Sequence, residues 1–218
     1  MTFWRKTIMA MAVATTPGAA AVAQGGGVSV GGFETEGSVG LSRDDYDALG
    51  RALTALLAAE VRGTAGAQVI PIPSAGGKPG SVDLSAARTA ANAAGAKVLV
   101  VGSLLDQYGD IHVEARMINA ATGEPIAVIR GDPKLVKREQ LAQAIADLAD
   151  RLAQQQGRTT RGGATRASVP VDALVHFGKG LRLEDAGDKA KAAESYRAAV
   201  RGAPGFTEAA AALQRVGS

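Results

Sequence analysis

Three polar residues at alternate positions are the first candidates for chemistry in this chain. His112, Glu114 and Arg116 are separated by single apolar residues between Ile111 and Met117. Side chains at every second position of a β-strand share one face of the sheet, so these three lie together. Such a face either carries charge pairs between strands in contact with water or binds a partner protein. We favour the first interpretation, because polar faces are common in antiparallel sheets.

The residue types needed for catalysis or metal binding are not clustered in the sequence. The two histidines, His112 and His176, lie far apart, and no group of His, Asp and Glu has metal-ligand spacing. The Gly-x-Ser-x-Gly motif of a serine hydrolase is absent. We therefore predict a protein that is not an enzyme and that uses no cofactor. His176 and Lys179 join the three strand residues as candidates for a partner-binding surface.

A glycine-rich segment between a predicted strand and a predicted helix invites comparison with a phosphate-binding loop. The segment Gly76–Ser81 contains Lys78, but the motif Gly-x4-Gly-Lys-Ser/Thr requires a glycine where Ile72 stands and a hydroxyl where Pro79 stands. Pro79 also lacks the backbone N–H that a phosphate would bind. We favour a surface loop without a ligand, and binding of a nucleotide or another small ligand is the minor alternative.

The N-terminus has the features of a secretory signal peptide. Arg5 and Lys6 precede a short apolar segment, and Ala21–Ala23 matches the small-x-small pattern of a cleavage site. We expect cleavage after Ala23, which removes residues 1–23 and leaves a periplasmic chain. The apolar segment is too short to cross a membrane, since a crossing needs about 20 apolar residues.

Charge and cysteine content narrow the classes of function. Removal of Arg5 and Lys6 from the 24 basic residues leaves 22 against 21 acidic ones, a net charge of +1. This balance gives no indication of nucleic-acid binding. With no cysteine in the chain, there is no disulfide and no acceptor for a lipid anchor at the cleavage site. We therefore expect association with a membrane only through a partner.

Apolar periodicity predicts an α/β domain over residues 24–156, with helices packed on a mixed sheet. The expected order is β-α-β-α-β-β-β-α, with parallel pairing of the first strands and antiparallel pairing of the last three. Turns at Gly109-Asp110 and Thr122-Gly123 join those last three strands. The expected strands are Val28–Phe33, Ala67–Pro73, Val98–Val101, Asp110–Met117 and Pro125–Arg130, and the expected helices are Ser42–Gly63, Leu84–Ala94 and about Lys134–Gln155.

A polar linker and an all-α unit complete the chain. Residues 157–169 contain glycines and three arginines without apolar periodicity, which indicates a flexible linker. Residues 170–218 fit the spacing of one tetratricopeptide-like repeat, with Gly180 and Ala192 as the small residues between its helices. One repeat cannot bury a full core, so the unit must lean on the first domain or on another chain.

The central strand segment carries a family resemblance. Ala96–Ser103, the turn at Tyr108–Asp110 and Val113–Glu124 resemble the CsgG/HfaB family and the related FlgO and TolB N-terminal-like domains. The resemblance covers roughly Val28 to Gln155, and the family includes members with a C-terminal tetratricopeptide repeat. It implies a bacterial envelope protein that binds other envelope proteins in an assembly, secretion-accessory or adaptor role. No catalytic residues carry over, because the family motifs are structural.

Two departures from that family bear on a role in secretion. The sequence offers no lipid-acceptor cysteine and no additional pair of long amphipathic hairpins such as those that form the CsgG pore. If the alternating strand crossed a membrane, His112, Glu114 and Arg116 would face lipid. We therefore expect a water-exposed sheet that binds partners. A homo-oligomeric secretion complex of the CsgG type at the outer membrane is the alternative.

Overall fold

The structure, a computed structural model, is of the mixed α/β class that the sequence predicts. It describes residues 27–37, 40–64, 68–70, 81–108, 110–131, 136–158 and 168–217. The expected signal peptide, most of the loop from Ser74 to Ser81 and most of the expected linker at 157–169 lie outside the described residues.

Strands and helices follow the chain in two groups. The strands are β1 (Gly27–Gly37), β2 (Ala96–Gln107), β3 (Asp110–Asn119), β4 (Pro125–Arg130) and β5 (Val136–Lys137). The helices are α1 (Arg43–Arg62), α2 (Leu84–Ala93), α3 (Leu141–Gln155), α4 (Val171–Asp185), α5 (Lys189–Gly202) and α6 (Thr207–Gly217), with a 3-10 turn over Arg138–Gln140.

The strands form one mixed sheet in the order β1-β2-β3-β4. β1 runs parallel to β2, whereas β2, β3 and β4 form an antiparallel meander. This pairing confirms the arrangement expected from the helix crossover and the tight turns. β5 pairs with the first residues of β3, on the side of β3 where β4 also lies.

Within the expected strand over Ala67–Pro73, the structure describes residues 68–70, which form a single bridge. Of the described residues there, Val69 forms a parallel bridge with Val28, and the Ile70 N–H donates to the Val28 carbonyl over 2.8 Å. Pro71 and Pro73 lie outside the described residues. The bridge is at the edge of the sheet beside β1, as expected for a segment rich in proline.

Local capping chemistry fixes where two helices begin. The Ser42 side chain accepts a hydrogen bond from the Asp45 N–H at the start of α1, and Asp83 accepts from the Ala86 N–H at the start of α2. Gly95 follows α2 with φ +82°, a conformation that favours glycine. These expected boundaries are confirmed.

The third helix begins later than the sequence indicates. We expected it from about Lys134, but Val136 and Lys137 pair with β3 and α3 starts at Leu141. The reason is a tertiary contact, because the Arg138 guanidinium binds the buried carboxylate of Asp106 on β2. Apolar periodicity does not register such a contact.

Helices cover the two faces of the sheet unequally. α1 and α3 cover one face, and their leucines belong to the same apolar core as inward residues of β2 and β3 such as Val100 and Met117. On the opposite face, α2 places Ala87 and Ala91 on Leu99 and Val101. α2 is only 10 residues long, and it covers the part of this face near the start of β2.

The C-terminal helices pack against the first domain through α1. The α4 and α1 backbones approach so closely at Gly178 that a Cβ there would collide with the Ala48 carbonyl oxygen. Phe177 of α4 packs against the tilted ring of Tyr196 and edge-to-face against Phe206, with ring centroids 5.8 and 5.0 Å away. Residues of the sheet, α1 and α4–α6 belong to one continuous apolar core.

Candidate functional site

Part of the sheet face that α2 does not reach is exposed to solvent. We call this surface the open sheet half. It is formed by side chains of β1, β2, β3 and β4 that point away from α1 and α3. These residues are Glu34, Ser103, Leu105, His112, Glu114, Arg116, Val128 and Arg130.

The three alternating residues of the sequence prediction lie together on the open sheet half. His112 is exposed, while Glu114 and Arg116 are half-buried. Arg116 Nη2 is 2.8 Å from Glu34 Oε2 on β1, and Arg130 Nε is 3.6 Å from Glu114 Oε2. The surface therefore carries the cross-strand charge pairs that we favoured, each of the partly exposed kind that contributes about 0–1 kcal/mol.

Two apolar side chains lie among these charges. Val128 is 50% exposed and Leu105 is 36% exposed, so they are unusually accessible for strand residues. A cleft of about 800 Å³ runs past them toward the end of α3. It is lined by Ser103, Leu105, His112, Val113, Glu114, Val128, Ile129, Arg130, Gly131, Arg151, Gln154 and Gln155.

The most exposed large apolar residue of the described chain lies at the tip of the β2–β3 hairpin. Tyr108 is 88% exposed, and its φ of +57° is a conformation that bulky residues rarely adopt. Backbone strain of this kind persists where the surrounding structure imposes it and is concentrated at functional sites. Tyrosine is also enriched at protein interfaces. The sequence predicted the turn at Gly109-Asp110, but Asp110 is the first residue of β3 and pairs with Gln107, and no sequence feature singled out the Tyr108 side chain.

The other two predicted site residues lie elsewhere. His176 and Lys179 are on α4, which packs against α1, and α1 covers the face of the sheet opposite the open half. Lys179 Nζ is 2.6 Å from Asp45 Oδ1 on α1, and this hydrogen bond lowers the pKa of Asp45. Lys179 thus holds α4 to α1. The structure does not bring the five predicted residues into one surface.

A buried charge network connects the sheet to α1 and to the 3-10 turn, and it was not identified from the sequence. Asp106 is 3% exposed, and Arg138 binds it through Nε and Nη2 over 2.8 and 2.6 Å. The Tyr46 hydroxyl donates to the same oxygen over 3.3 Å. Burial raises the pKa of the Tyr46 phenol, and the hydrogen bond to Asp106 raises that of Arg138. The network joins α1, β2 and the 3-10 turn, which is a structural role.

The described residues hold neither a metal-binding cluster nor a membrane-spanning helix. No group of three or more His, Cys, Asp and Glu side chains there could hold a metal ion. None of the helices described has the length and apolar character to cross a membrane. The open sheet half presents paired charges and exposed apolar groups, and the ring of Tyr108 is exposed at the tip of the β2–β3 hairpin.

Comparisons with known proteins leave the family unassigned. No family model and no curated protein matches the chain. It is similar to the LpoB C-terminal domain from Salmonella enterica, at 16% identity and TM-score 0.42, over 55% of this chain and 87% of that chain. It is also similar to the PelC dodecamer from Paraburkholderia phytofirmans, at 15% identity and TM-score 0.43, over 68% and 94%. At these values the similarities assign neither a family nor a function.

Proposed function

We propose that this chain is an exported, non-enzymatic envelope protein that acts through protein–protein binding, with the open sheet half as its main docking surface. The observation that carries the proposal is the exposure of Leu105, Tyr108 and Val128 beside paired charges on a rigid sheet. Exposed apolar and aromatic groups within a polar rim are typical of interfaces. The signal-peptide pattern and the resemblance to the CsgG/HfaB family support an assembly, secretion-accessory or adaptor role in the periplasm.

The helices α4–α6 give the protein a second surface in this proposal. Gly180 and Ala192 allow α4 and α5 to approach, because a Cβ at Gly180 would enter the Tyr196 ring. This contact supports the tetratricopeptide-like assignment of the helical unit. His176 is exposed on α4 and is available to a partner, whereas Lys179 is engaged with Asp45.

Cell fractionation combined with crosslinking tests the proposal. We expect the chain in the periplasmic fraction, with an N-terminus that begins at Gln24. Crosslinking in cells should recover specific envelope proteins with the parent chain and lose them with the double variant Leu105→Ser, Tyr108→Ser. Arg197→Ser on the exposed face of α5 is the matched control and should recover them. Equal recovery from the parent and the double variant would remove the open sheet half from the proposal.

A further inference from the structure

β4 is an edge strand with one side unpaired among the described residues. β3 lies on its inner side, and the strand order places no other described strand on its outer side. β5 continues along β3 beyond the end of β4 and does not cover it. An exposed strand edge is a ready template for pairing with another chain.

The hydrogen-bond register shows which backbone groups point outward. The Gly131 N–H donates to the Val113 carbonyl over 2.9 Å, and bonded and non-bonded residue pairs alternate along an antiparallel ladder. Val128, opposite Arg116, is therefore at a non-bonded position. Its N–H and C=O point away from β3, toward the open edge.

The side chains of β4 leave this edge accessible. The devices that protect natural edge strands include charged residues, proline and β-bulges. The pairing of β4 with β3 is irregular only at its start, between Met117 and Ile118. In β4 the proline stands first, at Pro125, and the charge stands last, at Arg130. Between them lie only apolar residues, of which Val128 is 50% exposed.

The charge of the cleft beside β4 indicates which kind of peptide segment could bind at the β4 edge. Arg130 is 82% exposed at the end of β4, and Arg151 of α3 donates from Nη1 to the Arg130 carbonyl over 3.4 Å. Both arginines line the cleft, where the one carboxylate among the lining residues, Glu114, is 3.6 Å from Arg130, so the two arginines leave an excess of positive charge there. Guanidinium groups recognise carboxylates with directional hydrogen bonds.

We propose that the β4 edge accepts an extended segment of a partner protein as an additional strand, with an apolar side chain beside Val128 and a carboxylate at Arg130 and Arg151. Backbone hydrogen bonds to Val128 supply affinity, and the arginines select acidic sequences. The inference rests on the proposed function and specifies how one partner class binds.

Selection from a library of short random linear peptides on the whole mature protein tests this mode. We expect enriched peptides with alternating apolar residues and at least one acidic residue. Val128→Pro removes the outward N–H without removing a ladder bond, so it should weaken binding of these peptides by about tenfold or more. Val128→Thr keeps the N–H and the branched shape and should bind like the parent. Fluorescence anisotropy measures both.

Chemical modification of the peptide provides a second test, which does not depend on whether a protein variant folds. Two versions of a selected peptide are compared, one N-methylated at its odd-numbered amides and one at its even-numbered amides. One version should lose binding and the other should keep it, because a strand paired on one side uses every second amide. Arg130→Glu should reverse the preference from acidic to basic peptides. Arg197→Glu on α5 is the matched control and should leave the preference unchanged.

Several results would overturn the inference. They are enrichment of no peptide, equal binding by Val128→Pro and the parent, and tolerance of N-methylation in both versions of the peptide. Light scattering that shows a dimer lost in Val128→Pro would assign the edge to a second copy of this chain. If envelope proteins are still recovered from cells with Val128→Pro, strand addition fails while the proposed function stands.

Discussion

At the scale of single residues, Asp106 of β2 connects α1 and the 3-10 turn, two elements that are distant from it in sequence. Its buried carboxylate accepts hydrogen bonds from Arg138 and from Tyr46. The pairing holds the 3-10 turn at Arg138–Gln140 against β2, directly after the two residues that pair with β3, Val136 and Lys137. Neither partner is near Asp106 in the chain, so sequence periodicity could not reveal the contact.

Asp106→Ala should lower the free energy of unfolding by about 3 kcal/mol, the lower end of the range for breaking a buried ion pair. Arg138 keeps 27% of its side chain exposed, which lets water reach the abandoned guanidinium. Urea denaturation measures the loss. The double variant Asp106→Leu, Arg138→Met should lose less than the single variant, because it leaves no unpaired charge. A larger loss in the double variant would contradict this account.

Gly123 is the second residue at which a single substitution should lower the stability of the protein. Its φ is +80°, and its N–H donates to the Asn119 carbonyl in the turn between β3 and β4. Gly123→Val should cost about 1–2 kcal/mol or more, since a β-branched residue is strained at positive φ. Gly123→Asn should cost less, because asparagine adopts this conformation more readily. Thermal unfolding distinguishes them, and equal melting temperatures for all three proteins would refute the turn assignment.

At the scale of elements, the approach of α4 to α1 depends on one glycine. Gly178→Ala should destabilise the protein by about 1–3 kcal/mol, because the new methyl group would collide with the Ala48 carbonyl. Gly202→Ala is the matched control in α5, where a Cβ would be 3.5 Å from its nearest neighbour, the Ala173 Cβ. This control should be neutral or stabilising, as alanine favours the helix. Urea denaturation compares the two, and an unchanged Gly178→Ala protein would contradict the close contact.

Most of the elements, though not their ends, could be predicted from sequence. β2 was evident because Val98 to Val101 is apolar throughout, and the structure buries it on both faces. Caps at Ser42 and Asp83 were evident because they are local. The start of α3 and the single bridge at Val69 were not, because contacts between distant segments set them. At the candidate site, alternation placed His112, Glu114 and Arg116 correctly on one face. The exposed Tyr108 was missed, because side-chain exposure depends on the fold around it and the sequence signal for positive φ was assigned to Gly109-Asp110.

At the scale of the whole molecule, acid should weaken the C-terminal helices through Glu184. Arg215 of α6 binds Glu184 over 2.7 and 2.8 Å and lowers its pKa, and the Tyr196 hydroxyl donates to it over 2.6 Å. Because the folded pKa lies below the ordinary value of 4.5, the carboxylate stabilises the fold at neutral pH. That contribution is lost as the pH falls below 4.5 through the folded pKa.

Glu184→Gln tests this dependence. At pH 7 the variant should melt at a lower temperature than the parent, because it lacks the ion pair. The two melting temperatures should converge as the pH falls below 4.5 through the folded pKa, because the parent carboxylate is then protonated. Asp172→Asn is the control, since Asp172 is exposed on α4, and its melting curve should follow that of the parent. A difference between Glu184→Gln and the parent that stays constant with pH would exclude Glu184 as the titrating group.

Because the apolar core continues on both sides of α1, the sheet domain and the helices α4–α6 should remain associated after the backbone between them is cleaved. α1 contacts β1 and α3 as well as α4, so removal of α4–α6 would uncover Ala48 and the apolar groups around it. A protease site engineered into residues 159–167 should therefore yield two fragments that stay together and co-elute in size-exclusion chromatography. They should separate only in denaturant, and after its removal a mixture should re-form the nicked protein. Cleavage of the backbone there should therefore leave the shared apolar core intact.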